Sequence, residues 1–192
     1  MANTYLTRTP SSAGNRKTWT WSAWFKRSKL NSFQRLIEAG ADTSNRSYIS
    51  LKSDNKIEVT HKDSNVEVAN LTTTALFRDV SAWYHIVVAV NTTHPTGSAR
   101  VNIYINGVQE TSFSTSTDPA QNLDFDFNST NPHYISRSVN TANYFDGSMS
   151  HIHFIDGTAY DATAFGETDA TTGEWVGKTS PSVTYGTNGF FI

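Results

Sequence analysis

An all-β sandwich of two antiparallel sheets is the fold class this sequence predicts, on three observations. Val101, Ile103 and Ile105 alternate with Arg100, Asn102 and Tyr104, the period-two pattern of a strand with one buried face. Asn106-Gly107 follows, supplying the two positive-φ residues of a type I′ hairpin turn before Val108 begins the return strand. Polar clusters such as Ser53-Asp-Asn55 and Lys62-Asp-Ser-Asn65 recur between short apolar runs, roughly every eight to twelve residues, which is the spacing of a sandwich or barrel meander.

In chain order, Trp19-Thr-Trp-Ser-Ala-Trp-Phe25 is the first long strand, with Trp19, Trp21, Ala23 and Phe25 facing the core and Thr18, Thr20, Ser22, Trp24 and Lys26 facing out. Leu36-Ile-Glu-Ala39 closes on Gly40, and Tyr48 to Lys52, Lys56 to His61 and Val66 to Leu71 form three more extended runs. Trp83-Tyr-His-Ile-Val-Val-Ala-Val90 leads to the Asn-Gly hairpin. After a loop at Asp118-Pro-Ala-Gln-Asn122 come Tyr134-Ile135, Tyr144 to Met149 and His151-Ile-His-Phe-Ile155, the last ended by Asp156-Gly157. One helical turn is expected, capped by Asp161, with Phe165 packed inward and Gly166 as a left-handed stop. The domain is thus expected over 1–160. Residues 161–192 form an irregular extension whose apolar Gly189-Phe-Phe-Ile192 end returns as a final strand beside the N-terminal Tyr5-Leu6 segment, because exposing it to water is costly.

The chain has 192 residues, enough for a sizeable core, and 15 basic against 17 acidic residues leave a net charge of -2. Nothing electrostatic favours nucleic acid or an anionic membrane. The absence of cysteine removes disulfides, thiolate zinc sites and a cysteine nucleophile together. No apolar run has the length of a secretory signal or a membrane span, so a soluble product of a cytoplasm is expected, with no membrane insertion.

Catalytic patterns are weak. Glycoside hydrolysis needs two carboxylates across a cleft, and Asp124-Phe-Asp126 is the nearest approach, in a stretch that looks like a solvated loop or a source of calcium ligands. His151-Ile-His153 has the spacing of a metal half-site on a strand, with His85 or His133 as third ligands by residue type only. No Gly-x-Ser-x-Gly elbow and no phosphate-binding Gly-x-x-x-x-Gly-Lys loop occurs. No catalytic residue, cofactor or metal set is therefore assigned, and calcium is left without ligands. Aromatic rings are the better candidates. Trp24 points away from the other aromatics of its strand, and Tyr48, Tyr134 and Tyr144 fall near strand ends or loops, where flat rings stack on sugar faces or anchor a protein partner.

Thr18-Trp-Thr-Trp-Ser-Ala-Trp-Phe25, Trp83 to Val90, Val101-Asn-Ile-Tyr-Ile-Asn-Gly-Val108 and Phe145-Asp-Gly-Ser-Met149, in this order, resemble the laminin-G-like, concanavalin A-like jelly roll. The opening Tyr5-Leu-Thr-Arg-Thr-Pro10 segment, Phe77-Arg-Asp-Val-Ser-Ala-Trp83, Thr172-Gly-Glu-Trp175 and Tyr185-Gly-Thr-Asn-Gly-Phe190 narrow the resemblance to versions of this domain in tailed-phage virion proteins, especially those of marine phages. That resemblance implies a non-enzymatic structural protein on the virion surface: a capsid decoration, or a head, tail-fibre or appendage subunit. Its expected partners are other virion proteins and copies of itself arranged by particle symmetry, such as a trimer. The alternative is a lectin-like module that recognises host-surface glycan for attachment.

Overall fold

The computed structural model describes residues 3–192. Extended segments run as β1 (Leu6–Arg8), β2 (Thr18–Arg27), β3 (Gln34–Gly40), β4 (Arg46–Leu51) and β5 (Ile57–Asp63). They continue as β6 (Val66–Thr73), β7 (Tyr84–Asn91), β8 (Val101–Ile105), β9 (Val108–Gln109) and β10 (Phe113–Thr117). The last are β11 (His133–Ile135), β12 (Gly147–Asp156), β13 (Gly166–Thr168), β14 (Trp175–Gly177) and β15 (Phe190–Phe191), with single 3-10 turns at Gly97–Ala99 and Ala162–Ala164.

Two antiparallel sheets stack as a jelly-roll sandwich. One has seven strands in the order β1-β11-β3-β4-β5-β6-β10, and the other six in the order β15-β12-β2-β7-β8-β9. Alternation decides what lies between them: Trp19, Trp21, Ala23 and Phe25 of β2 and Ile86, Val88 and Val90 of β7 meet Ile37, Ile49, Val59 and Leu71 of the facing sheet in one core. Asn106 and Gly107 turn β8 into β9 at φ +48° and +83°, and Ile105 pairs with Val108, so the hairpin has the geometry its residues dictate.

The face of β2 expected to meet solvent does so only in part. Thr20 and Ser22 are fully buried, because the C-terminal arm crosses the outside of the six-stranded sheet as a third, partial layer. Thr20 Oγ1 donates to the Thr158 carbonyl and accepts from the Tyr160 amide, both at 2.8 Å. Over it, Ala162 and Phe165 pack on Val87 and Ile155, joined by Tyr104, Tyr160, Trp175 and Tyr185, as a second apolar cluster. Asp161 caps its turn by accepting from the Thr163 amide at 2.9 Å. Gly166 is not a left-handed stop. It opens β13, and its missing side chain makes room for the Trp175 ring, which an added Cβ would approach to 2.5 Å.

The final strand also corrects the expected pairing. β15 adds to β12, with Phe190 opposite Phe154 and Phe191 opposite His153, while β1 pairs with β11 in the other sheet. The edge of β12 offers aromatic partners that the exposed Tyr5-Leu6 segment cannot: Phe190 stacks on Phe154 at 5.8 Å and Phe191 on His153 at 4.5 Å between centroids. The termini still meet through side chains, since Arg8 Nη1 donates to the Asn188 carbonyl at 2.6 Å and Asn188 Nδ2 to that of Ser12 at 2.9 Å.

Candidate ligand groove

Three indoles from three distant segments meet on the outside of the six-stranded sheet. Trp24 lies opposite His85 in the β2–β7 pair, and their rings stack at 4.9 Å and 18°. Trp83, just before β7, is 42% exposed. Trp175 arrives from the arm at the start of β14 and rests where Gly107 and Gly166 lack side chains; a Cβ on either would come within 2.5 Å of its ring. Gly177 lies beside Trp24 with more room, since a Cβ there would come to 3.2 Å from its indole nitrogen. With Ser150 and His151, these residues enclose a shallow, largely apolar groove of about 380 Å³, a volume within the range of small-ligand sites.

His85 fastens the floor. Trp175 Nε1 lies 2.9 Å from His85 Nδ1, and an indole N–H can only donate, so Nδ1 is the unprotonated nitrogen. The proton therefore sits on Nε2, which donates to Ser22 Oγ at 2.9 Å. Burial pushes the imidazole down to about 3, helped by the neighbouring His153 and His151, and the ring stays neutral and in one tautomer. His151 reaches the groove because β12 carries one extra residue between Ser150 and His153, with φ +48° at His151. His153 is 3% exposed, with Nδ1 2.8 Å from the Tyr185 hydroxyl. Among the described residues, no three His, Asp or Glu side chains are grouped to hold a metal.

Of the four aromatic candidates, Trp24 alone enters this groove. Tyr48 lies within β4, not at a strand end, and is 4% exposed. The Arg35 guanidinium lies 3.7 Å over its ring, on a face where Arg35 and Arg46 also pair with Glu38. Burial, reinforced by Glu58, pushes its hydroxyl up to about 12. These long cationic side chains cover the ring. Tyr134 and Tyr144 do come together, 6.5 and 6.4 Å from Tyr5, with the Arg137 guanidinium 4.1 Å from the rings of both Tyr5 and Tyr134.

Packing holds one member of the acidic pair and leaves the other, Asp124, exposed. Phe125 and Phe127 are buried in the core, which sets Asp126 at 6% exposure, 3.6 Å from Arg16 and accepting from Asn131 Nδ2. Burial raises its carboxyl against the pull of Arg16. Sequence reasoning assigned Trp83 to a strand and gave Trp175 no role. The available signal was a lone tryptophan in a Gly, Thr and Ser-rich arm, where nothing local calls for a large ring.

The family described as Concanavalin A-like lectin/glucanases superfamily matches residues 2–163. No curated protein matches. Among solved structures, the chain is similar to the CBM40 module of the Ruminococcus gnavus IT-sialidase (TM-score 0.57, 11% identity, 84% of this chain and 96% of that one). It is also similar to a heptameric SAP-like pentraxin from Limulus polyphemus (0.54, 13%, 80% and 70%). A third is domain 4 of AbnA, an extracellular arabinanase from Geobacillus stearothermophilus, solved with arabinotriose (0.54, 19%, 76% and 64%). At such identities the likeness is one of fold, and with the family match over most of its length the chain belongs to the concanavalin A-like lectin/glucanase superfamily.

Proposed function

We propose that this chain is a non-enzymatic carbohydrate-recognition module carried on the surface of a bacteriophage particle, and that Trp24, Trp83 and Trp175 form the surface on which a sugar ring stacks. The observation that carries the reading is the convergence of three indoles on one open groove, with Trp83 left 42% exposed beside it. Pyranose C–H faces are apolar and their hydroxyls polar, so a ring stacks on an indole while its rim bonds to Ser150 and His151. Two structural neighbours have names that fit: the CBM40 module, also solved with sialyllactose, and the AbnA domain with arabinotriose. The particle setting rests on the likeness of the N-terminal, Phe77–Trp83 and Tyr185–Phe190 segments to phage virion proteins.

A glycan array followed by titration calorimetry tests it. Saturable binding by the wild type is expected, weakened about tenfold to a hundredfold in Trp83→Ala, as loss of one stacked ring costs roughly 1–3 kcal/mol. Silence across the array overturns the reading. A packing role toward other virion subunits or further copies of this chain is favoured by a separate observation: Leu6, Phe191 and Ile192 are 47, 57 and 54% exposed on the adjoining edges β1 and β15. If packing is the main role, Phe191→Asp abolishes incorporation into particles while Trp83→Ala does not.

A further inference from the structure

Between Gly157 and Asn188 the arm's strands, β13 and β14, pair with each other and, among the described residues, with no strand of the sandwich. Its two ends are held separately. The Gly157 amide donates to the Thr18 carbonyl at 3.0 Å, and the Asn188 amide donates to Asp156 Oδ2 at 3.1 Å. The segment 158–187 is therefore a strap that can lift away without breaking a ladder of either sheet. Two imidazoles lie beneath it. His153 of β12 stands opposite Ser22 of β2, whose hydroxyl is bonded to His85 of β7, and the two rings' residues are 3% and 1% exposed. The strap bonds to both: Trp175 Nε1 donates to His85 Nδ1 at 2.9 Å, and the Tyr185 hydroxyl lies 2.8 Å from His153 Nδ1.

His85 cannot take up a proton in place. Its Nε2 already donates to Ser22, so an added proton goes to Nδ1, where it meets the Trp175 N–H, a group that can only donate. His153 is closed in by Phe165, Tyr185 and Phe191, at 5.2, 6.1 and 4.5 Å between centroids, where an imidazolium loses its water. No acid compensates. The charges that act on His85 are those of His153 and His151, and on His153 that of His151. Tyr104 of β8 joins the same layer and responds to Asp161, whose carboxylate caps its own turn. Within the strap, Lys178 Nζ donates to the Thr163 carbonyl, Asp169 accepts from the amides of its own turn, and Glu167 and Glu174 are exposed. Burial thus holds both rings neutral, pushing His85 down to about 3 and His153 to about 4.

We propose that the segment 158–187 is an acid-released strap: protons taken up by His85 and His153 lift it from the six-stranded sheet while both sheets stay folded, and Trp175 leaves the groove with it. Lifting the strap returns each ring to water, where it binds a proton near pH 6.5. The closed form is therefore fully favoured above pH 6.5, and its ratio to the open form falls by up to about tenfold per pH unit for each ring as pH drops toward about 4. That the release also dismantles a ligand surface rests on the reading of the groove given above; the release itself does not.

A sugar-free NMR titration of the ¹⁵N-labelled full chain from pH 7 to about 3.5 tests it. The backbone signals of 158–187 and the Trp175 indole are expected to move to unstructured positions in one step. The ring nitrogens of His85 and His153 gain protons in that same step, while the signals of β2, β7 and β8 keep their native positions. A chain carrying both His85→Gln and His153→Gln retains a neutral acceptor for the Trp175 indole and has no imidazole to protonate, and its strap is expected to open at least one pH unit lower. Strap signals still native at about pH 3.5 overturn the proposal, as do strap and sheet signals lost together, or a double variant that opens at the wild-type pH. If the double variant is already open at pH 7, the wild-type titration decides alone. Because no sugar is present, a strap that stays closed leaves the groove reading standing, and a silent glycan array leaves the strap standing.

Discussion

His85 shows how single residues set the groove. Its ring is stacked under Trp24, its Nδ1 accepts from Trp175, its Nε2 serves Ser22, and its backbone amide donates to Asn106 Oδ1 at 2.8 Å. One neutral tautomer satisfies all of these. Trp175→Phe keeps most of the apolar surface but leaves Nδ1 buried and unpaired, and is expected to lower the stability by about 1–3 kcal/mol in urea titrations. Unchanged stability there would mean that the indole N–H is not the bond that seats the arm. Trp83→Ala is expected to do the opposite, removing glycan affinity with less than about 1 kcal/mol of stability, since that side chain is partly in water already. Tyr48 carries a lesson of the same scale: expected near a strand end or loop, it lies within β4, and the reach of its neighbours Arg35 and Arg46 covers its ring.

At the scale of elements, the arm and the last strand hold the molecule's outer layer. Asp156 ties them together, with Oδ1 accepting from Asn128 Nδ2 and the Asn15 amide and Oδ2 from the Asn188 amide. β15 contributes through Phe190, which stacks on Phe154 and lies beneath the Arg8 guanidinium at 5.8 Å. Phe190→Ala is expected to cost about 2–3 kcal/mol, somewhat less than a fully buried phenylalanine because the ring is only half-buried. Thermal unfolding checks it, and a midpoint equal to the wild type would show that β15 is not part of the cooperative unit. The period-two runs of β2, β7 and β8 were legible because each residue's face follows from its neighbours. The bulge in β12 was not, since His151 takes its positive φ to fit the register of β2, a partner more than a hundred residues earlier in the chain.

For the whole molecule, pH is the revealing variable. Burial pushes the imidazoles of His61, His133 and His153 down to about 4 and that of His85 to about 3, from 6.5 in a free side chain. The unfolded chain therefore binds more protons than the folded one below pH 6.5, so the stability these groups support is complete above that pH. It is lost as pH falls through the window down to about 4, each group contributing a slope of up to about 1.4 kcal/mol per pH unit. Asp126 and Glu110, whose carboxyls are raised by burial, act in the other direction, two groups against four. Urea midpoints are expected to fall steadily between pH 6.5 and 5, and a flat profile over that range would show that these histidines are not buried as neutral rings.

Local pattern alone determined the sandwich, its hairpin turn and the inward tryptophans of β2, because strand periodicity and positive-φ turns depend on residues adjacent in sequence. Trp24 was legible as outward-facing for the same reason, and Tyr134 and Tyr144 as rings near a loop. Only the tertiary structure decided that Trp24, Trp83 and Trp175 share a groove, and that the last strand joins β12 and not β1. Each of those depends on contacts between distant segments, such as the Trp175–His85 bond across 90 residues, and such pairings are settled by the competition of whole surfaces for burial, which no short window of sequence contains.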